Sequence, residues 1–168
     1  MVEFLYAAEV LLKQRIVGLG GATFPSALKL NLSRSSGVQT LIMNGGECEP
    51  YLTCDDRIMR ERAVEIVEGI RLIAHAVAAK EILVGIEDNK PEAIAAMQAA
   101  AGNSEVKVVA MPSMYPMGSE KQIIQVLTGK EIPAGGRPAD IGVLVHNVAT
   151  AWAVQQAYAL MRWSNFSR

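Results

Sequence analysis

Four short segments carry residues whose types and spacing suit ligand chemistry. The first is Gly18-Leu19-Gly20-Gly21-Ala22-Thr23-Phe24-Pro25. Its glycines permit positive φ and let a flat or phosphorylated ligand touch backbone N–H groups. The dinucleotide fingerprint G-x-G-x-x-G fails at Thr23, and a helix precedes the segment where a strand is required. Gly129-Lys130 is not a Walker loop, because Glu131 follows it and Ile124 stands where the first glycine belongs. The plainer alternative for the first segment is a helix–helix turn, since glycine loops are common.

The second segment is Asn44-Gly45-Gly46-Glu47-Cys48-Glu49-Pro50. It places two acids two residues apart just beyond a strand and a glycine turn. In extended chain that spacing points both side chains to one side, here toward one cavity. There they can accept hydrogen bonds from ligand hydroxyl or ring N–H groups and bias the redox behaviour of a bound ring. Two like charges together repel, so removing one is expected to harm folding little. A solvated acidic loop is the plainer alternative. Cys48 reads as a small buried filler before a reactive thiol.

The third segment, Met111 through Lys121, puts three methionines and Tyr115 in a proline-broken loop that enters a helix N-terminus. Such a surface covers an aromatic ligand while the helix end faces an anion. Methionines that are simply core are the alternative. The fourth, His146-Asn147-Val148-Ala149-Thr150, offers two capping-competent side chains, and capping is the stronger reading there. His75 falls on the outer face of its helix beside Arg71 and Glu68. With only two histidines and neither in a nucleophile motif, no Ser/His/Asp set is suggested.

The elements that must hold these segments follow from hydrophobic periodicity. Helices are expected over Val2–Gln14, from Pro25 to about Leu30, over Ala63–Ala79, Pro91–Ala101, Ser119–Leu127 with Ser119 as cap, and Thr150–Tyr158. Ile66, Ile70, Ile73 and Val77 form the inner face of the long one. Strands are expected over Val38–Met43, Glu81–Ile86, Val106–Met111 and Ile141–Val145. Asp55 or Asp56 is expected to cap the helical stretch after the second segment. Strands alternating with helices predict a mainly parallel α/β sheet with helices on both faces. Such sheets bind ligands beyond the carboxyl ends of their strands. Asn44, Met111–Gly118 and His146-Asn147 occupy those ends.

Composition narrows the function. The 168 residues are 51% hydrophobic and 20% charged, which excludes disorder and gives one domain of ordinary size with a buried core. Sixteen basic and seventeen acidic residues leave net −1, so no basic excess drives nucleic-acid binding. Cys48 and Cys54 match no common zinc or iron–sulfur spacing and make no disulfide framework, so no metal site is expected. No apolar run approaches the ~20 residues of a membrane span, and the N-terminus lacks a signal peptide's basic region. Asn31 and Asn165 stand in chance glycosylation matches.

In chain order, Gly18 to Pro25 with Lys29, Asn44 to Pro50, Tyr115-Pro116-Met117-Gly118-Ser119-Glu120, and Asn147 to Thr150 resemble the C subunit of Rnf-type (Rsx-type) electron-transport complexes. More distantly they are similar to the flavin subunit of respiratory complex I. The likeness covers Val17–Ala157. It implies a Rossmann-like α/β domain that holds FMN and admits NAD(H). By that resemblance Gly18, Gly20, Gly21 and Lys29 line the flavin, with Lys29 favouring the phosphate or the reduced ring, and Phe24 stacks near the nicotinamide. Asn44, Glu47 and Glu49 belong to the second loop, Tyr115, Gly118 and Glu120 to the third, and Asn147 and Thr150 to the fourth. The implied activity is NADH-linked oxidoreduction. Hydride passes from NADH to flavin, and electrons pass singly to iron–sulfur clusters or flow backward. The flavin carries the chemistry, so no protein residue is expected to be catalytic.

The chain also departs from the family pattern. Gly46 and Ser119 stand where complex I flavin subunits carry acids, and Thr23 replaces a glycine before Phe24. The β-grasp region and the domain that holds two [4Fe–4S] clusters in that family are not expected within these residues, so the chain reads as a fragment of such a subunit. Residues 1–158 are expected to form the FMN/NADH domain and 159–168 an unrelated tail that adds little stability. The implied partners are the other members of the complex and NADH, with the protein peripheral on the cytoplasmic face of the cell membrane. The competing expectations are a catalytically silent assembly module of the same fold and a generic nucleotide-binding α/β domain.

Overall fold

The computed structural model describes residues 16–19, 36–47 and 53–166, with side chains up to Trp163. The expected helices at Val2–Gln14 and Pro25–Leu30 lie outside the described residues. So do Gly20, Gly21, Phe24, Lys29, Cys48 and Glu49.

Among the described residues the chain runs β1 (Thr40–Gly45), α1 (Cys54–Glu61), α2 (Ala63–Val77), β2 (Glu81–Glu87), α3 (Pro91–Ala101), β3 (Val106–Met111), α4 (Glu120–Thr128), a 3-10 turn (Pro138–Ile141), β4 (Val143–Asn147) and α5 (Val148–Phe166). All strand pairs are parallel, in the order β3-β2-β1-β4. The chain winds from β1 outward to β2 and β3, then returns to lay β4 on the other side of β1. The topological switch therefore lies between β1 and β4, where such sheets open a crevice at their carboxyl ends.

β1, β2 and β4 read as near-continuous apolar runs because both faces are covered, whereas the edge strand β3 exposes Lys107 and Ala110. Leu41, Met43, Ile82, Val84, Ile86 and Leu144 face one core with residues of α1, α2, α3 and α5. The alternate positions Ile42, Leu83, Val143 and Val145 face a second core with Ile123 and Ile124 of α4. The two-residue period of a strand assigns each side chain to its face. A fully buried Ile or Leu of this kind contributes about 1.5–3 kcal/mol.

Helix bounds follow from local chemistry. Pro91 starts α3 because its missing N–H and fixed φ suit the first turn. Ser119 Oγ accepts from Gln122 N–H and caps α4. Ala78 ends α2 in the left-handed region (φ 54°), with its N–H returned to the helix, two residues inside the expected range. α5 begins two residues earlier than expected and continues through Phe166.

Cys54–Glu61 is a helix of its own. Neither Asp55 nor Asp56 caps it; both lie in its first turn. α2 and α5 approach so closely that a Cβ on Gly69 would lie 1.9 Å from the Ala151 carbonyl oxygen. His75 is exposed, as its helical position implies.

Candidate functional site

Asn44 and Asn147 are register partners in neighbouring strands, the last such pair before the chains diverge at the switch point. Each side chain is tied at both ends. Asn44 Nδ2 donates to the Gly118 carbonyl at 2.8 Å, and its Oδ1 accepts from Gly46 N–H at 2.9 Å. Asn147 Nδ2 donates to Asp55 Oδ2 at 2.6 Å, and its Oδ1 accepts from Ala149 N–H at 2.7 Å. Asn147 thus caps α5, as its position in the sequence suggested, and also holds the first turn of α1.

The remaining loops are stitched to the same place. Leu19 N–H donates to Thr150 Oγ1 at 3.0 Å, which puts Gly18 and Leu19 beside the N-terminus of α5. Thr150 is fully buried. Gly46 packs so near Gly118 that a Cβ would meet its Cα at 3.2 Å, so the second and third loops touch through backbone. Ser113 N–H donates to Asp88 Oδ1, and Asn89 donates to Ser113 Oγ, which fastens the third loop to the β2–α3 turn. The described parts of all four segments, far apart in sequence, therefore meet at the carboxyl end of the sheet, the first through Leu19 alone.

The methionines divide. Met111 and Met117 are core, whereas Met114 and Tyr115 are largely exposed on the loop, at 62% and 87%. Glu120 is exposed at the start of α4.

Glu47 turns inward, its side chain only 4% exposed. Its Oε1 accepts from Asp55 N–H at 2.7 Å and its Oε2 from Asp56 N–H at 3.4 Å. A carboxylate from across the loop thus serves as the cap that α1 lacks locally. Lys90 Nζ lies 2.6 Å from Glu47 Oε2 and 3.4 Å from Glu87 Oε2. Glu47 is therefore a tied structural acid. Set against the expectation that its removal scarcely affects folding stand its bonds from the Asp55 and Asp56 N–H groups and its pairing with Lys90, which the Glu47→Gln variant tests.

Cys54 Sγ donates to Glu47 Oε1 at 3.6 Å. Desolvation first, then the Asp55 and Glu47 charges, push its thiol above the ordinary range, which makes it a poor nucleophile. Burial likewise raises the Asp55 carboxyl, helped by the Glu47 charge and opposed by the bond from Asn147 and by Lys90. Ligand atoms of Glu47, Cys54 and Asp55 lie within 4.8 Å of one another. Lys90 already supplies the cation at that point.

Lys90, Glu87 and Asp55 are not legible as site residues in the sequence. Lys90 stands 43 residues from Glu47, and no local pattern joins them. A cavity of about 660 Å³ lies at the other end of the sheet, lined by residues such as Arg71, His75, Glu105 and Tyr158. It gathers none of the expected binding residues.

A parallel sheet with its loops gathered at a switch point defines an α/β domain of the cofactor-binding class. Gly46 and Gly118 bring backbone rather than side chain to this point, and the two asparagine amides retain donor and acceptor capacity beyond the bonds they make, a donor set compatible with a polar-edged ligand.

The chain belongs to the family described as the Nuo51 FMN-binding domain, whose profile matches residues 11–156. Its curated relatives include proteins named as the C subunit of an ion-translocating oxidoreductase complex. That of Rhodobacter capsulatus is 57% identical over 145 residues, 84% of this chain and 28% of the relative. That of Pseudomonas aeruginosa is 52% identical over 147 residues, 88% of this chain and 19% of the relative. That of Pasteurella multocida is 49% identical over 158 residues, 94% and 18%. The chain thus spans between about a fifth and just over a quarter of these relatives. The fold matches a chain of an NAD+-reducing [NiFe]-hydrogenase in the H2-reduced state with TM-score 0.81 at 23% identity, over 93% of this chain and 31% of that one.

Proposed function

We propose that this chain is the FMN-holding domain of an electron-transport complex subunit, working between NAD(H) and iron–sulfur centres carried elsewhere in the full-length protein. The observation that carries the reading is the meeting of the second, third and fourth loops at the β1–β4 switch point, with Leu19 tied to Thr150 beside them and Asn44 and Asn147 side by side at its base. Membership of an FMN-binding family supports it. When bound, FMN supplies redox chemistry that couples two-electron and one-electron partners, and the protein supplies binding, orientation and charge.

In this reading Gly18, Gly20 and Gly21 offer backbone donors, and Lys29 offers charge to the phosphate or ring. Phe24 and Tyr115 cover flat surfaces. Asn44, Gly118, Asn147 and Thr150 hold the loops at fixed separations. Glu49 and Glu120 set the negative field around the ring, and Glu47, paired with Lys90, belongs to the same loop as Glu49. The other members of the complex are the partners, and the domain sits peripherally on the inner face of the membrane. Among the described residues no helix is long and apolar enough to cross a membrane.

The test is FMN titration of the 168-residue chain, followed by anaerobic addition of NADH. Quenching of flavin fluorescence at one equivalent and bleaching of the flavin bands by NADH are expected. Gly21→Val should block FMN without unfolding the sheet. Absence of FMN binding refutes the reading. Binding without bleaching identifies a silent module instead.

A further inference from the structure

The strongest unassigned feature is the charge arrangement behind the second loop. Glu47 and Glu87 carry side chains 4% and 8% exposed, and the ammonium that serves both belongs to Lys90, itself 13% exposed. Asp55, also buried, adds a third carboxylate within the same cluster. Two acids therefore pair with one lysine, and a third stands beside them. Glu47 lies three residues beyond Asn44, at the mouth of the crevice, while Lys90 approaches from the β2–α3 turn behind it. Lys90 also occupies the position before Pro91, where its carbonyl accepts the Ile94 N–H and its own N–H donates to the Glu87 carbonyl. Its backbone is anchored, so its side chain meets Glu47 in a set direction.

Resting on the flavin reading above, we propose that Lys90 is a positioning residue for that site. Its ammonium fastens the Glu47 loop to the sheet and offsets the Glu47 charge that a bound ring would otherwise meet. An uncompensated buried carboxylate beside the ring disfavours the added negative charge of the reduced form, because low dielectric leaves it poorly screened. The two charges of the pair must therefore act on a flavin with opposite signs and largely cancel together. A lysine that merely stabilises the fold produces no such pattern.

The experiment uses the full 168-residue chain loaded with FMN. Affinity is read by fluorescence titration, midpoint potential by spectroelectrochemistry, and folding of the apoprotein by circular dichroism. Lys90→Met is expected to weaken reduced relative to oxidised flavin binding about tenfold, a fall of about 30 mV for a two-electron couple. Glu47→Gln is expected to shift the potential upward. The double variant Glu47→Gln/Lys90→Met should return most of the way to the wild type, and Lys90→Arg should stay close to it.

If wild-type protein fails to bind FMN, the functional reading falls and this inference with it. If wild type binds FMN and a folded Lys90→Met leaves affinity and potential unchanged, this inference alone is overturned. Shifts of the same sign from Lys90→Met and Glu47→Gln also overturn it, since the two charges then do not oppose one another at the ring. Where Lys90→Met does not fold, the double variant compared with Glu47→Gln and Lys90→Arg decides. The proposal then requires Arg to keep the wild-type potential, the Glu47→Gln shift to be upward, and the double variant to lie below Glu47→Gln.

Discussion

Replacing Glu47 by glutamine should destabilise the fold, and the size of the effect can be worked from its contacts. The carboxylate accepts the Asp55 N–H at 2.7 Å and pairs with Lys90 at 2.6 Å. Hydrogen bonds to a charged group contribute about 1.5–3 kcal/mol, roughly twice a neutral one. A glutamine oxygen keeps the Asp55 bond as a neutral bond, which loses about 1 kcal/mol. Its NH2 group then faces the Lys90 ammonium, donor against donor. Breaking a buried pair costs about 3–5 kcal/mol when the survivor is stranded. Lys90 keeps Glu87 at 3.4 Å, so the lower part of that range or less applies, about 2 kcal/mol. Relief of repulsion among Glu47, Glu87 and Asp55 offsets about 1 kcal/mol. The net expectation is a loss of about 2 kcal/mol, or about 4–8 °C in Tm for a chain of this size. Urea unfolding followed by circular dichroism measures it, and the loss should change little with added salt because the pair is buried. A loss under about 0.5 kcal/mol would place Glu47 with ordinary surface residues and refute the reasoning.

Three further outcomes are expected. Gly69→Ala should cost about 3 kcal/mol or more, because its Cβ would sit 1.9 Å from the Ala151 backbone oxygen and α2 and α5 must part; Gly85→Ala, blocked only by the ends of the Met111 and Ile123 side chains, should cost less in the same thermal unfolding series. Asp55→Asn tests the raised carboxyl: a folded-state pKa above the unfolded value means that the ionised form costs stability, a cost absent below the unfolded pKa and growing as pH rises through the window up to the folded pKa. The asparagine variant, which still accepts the bond from Asn147, should therefore gain on the wild type between pH 4 and pH 7, and an equal difference at both would contradict the assignment. Deleting Ala159–Arg168 removes the exposed Leu160 and Trp163 and the Arg162–Tyr158 contact at 5.9 Å; a loss of no more than about 1 kcal/mol is expected on chemical denaturation, against several if the end of α5 supports the core.

Much of the fold is legible in the chain because it rests on local signals. All four strands are readable to within two residues; β1, β2 and β4 are apolar because both of their faces are covered, and the edge strand β3 is legible from its valines although Lys107 and Ala110 are exposed. Pro91, with its missing N–H, marks the start of α3, and Ser119 marks the cap of α4. Three of the loop segments are likewise recognisable from the glycine, amide, acid or methionine residues placed just past strands, and the first from its glycines after an expected helix. Tertiary structure decides what these pieces do together. The return of β4 to the far side of β1 creates the switch point, and no periodicity states a strand order. α1 leaves little trace in the sequence because it is short and polar, and its first N–H groups are satisfied by Glu47 rather than by a residue at the cap position. Glu47 and Lys90, or Gly69 and Ala151, become neighbours only when distant segments pack. Composition dictates the apolar runs and glycine turns, but charge pairing and backbone contact between remote residues arise only once the chain has closed on itself.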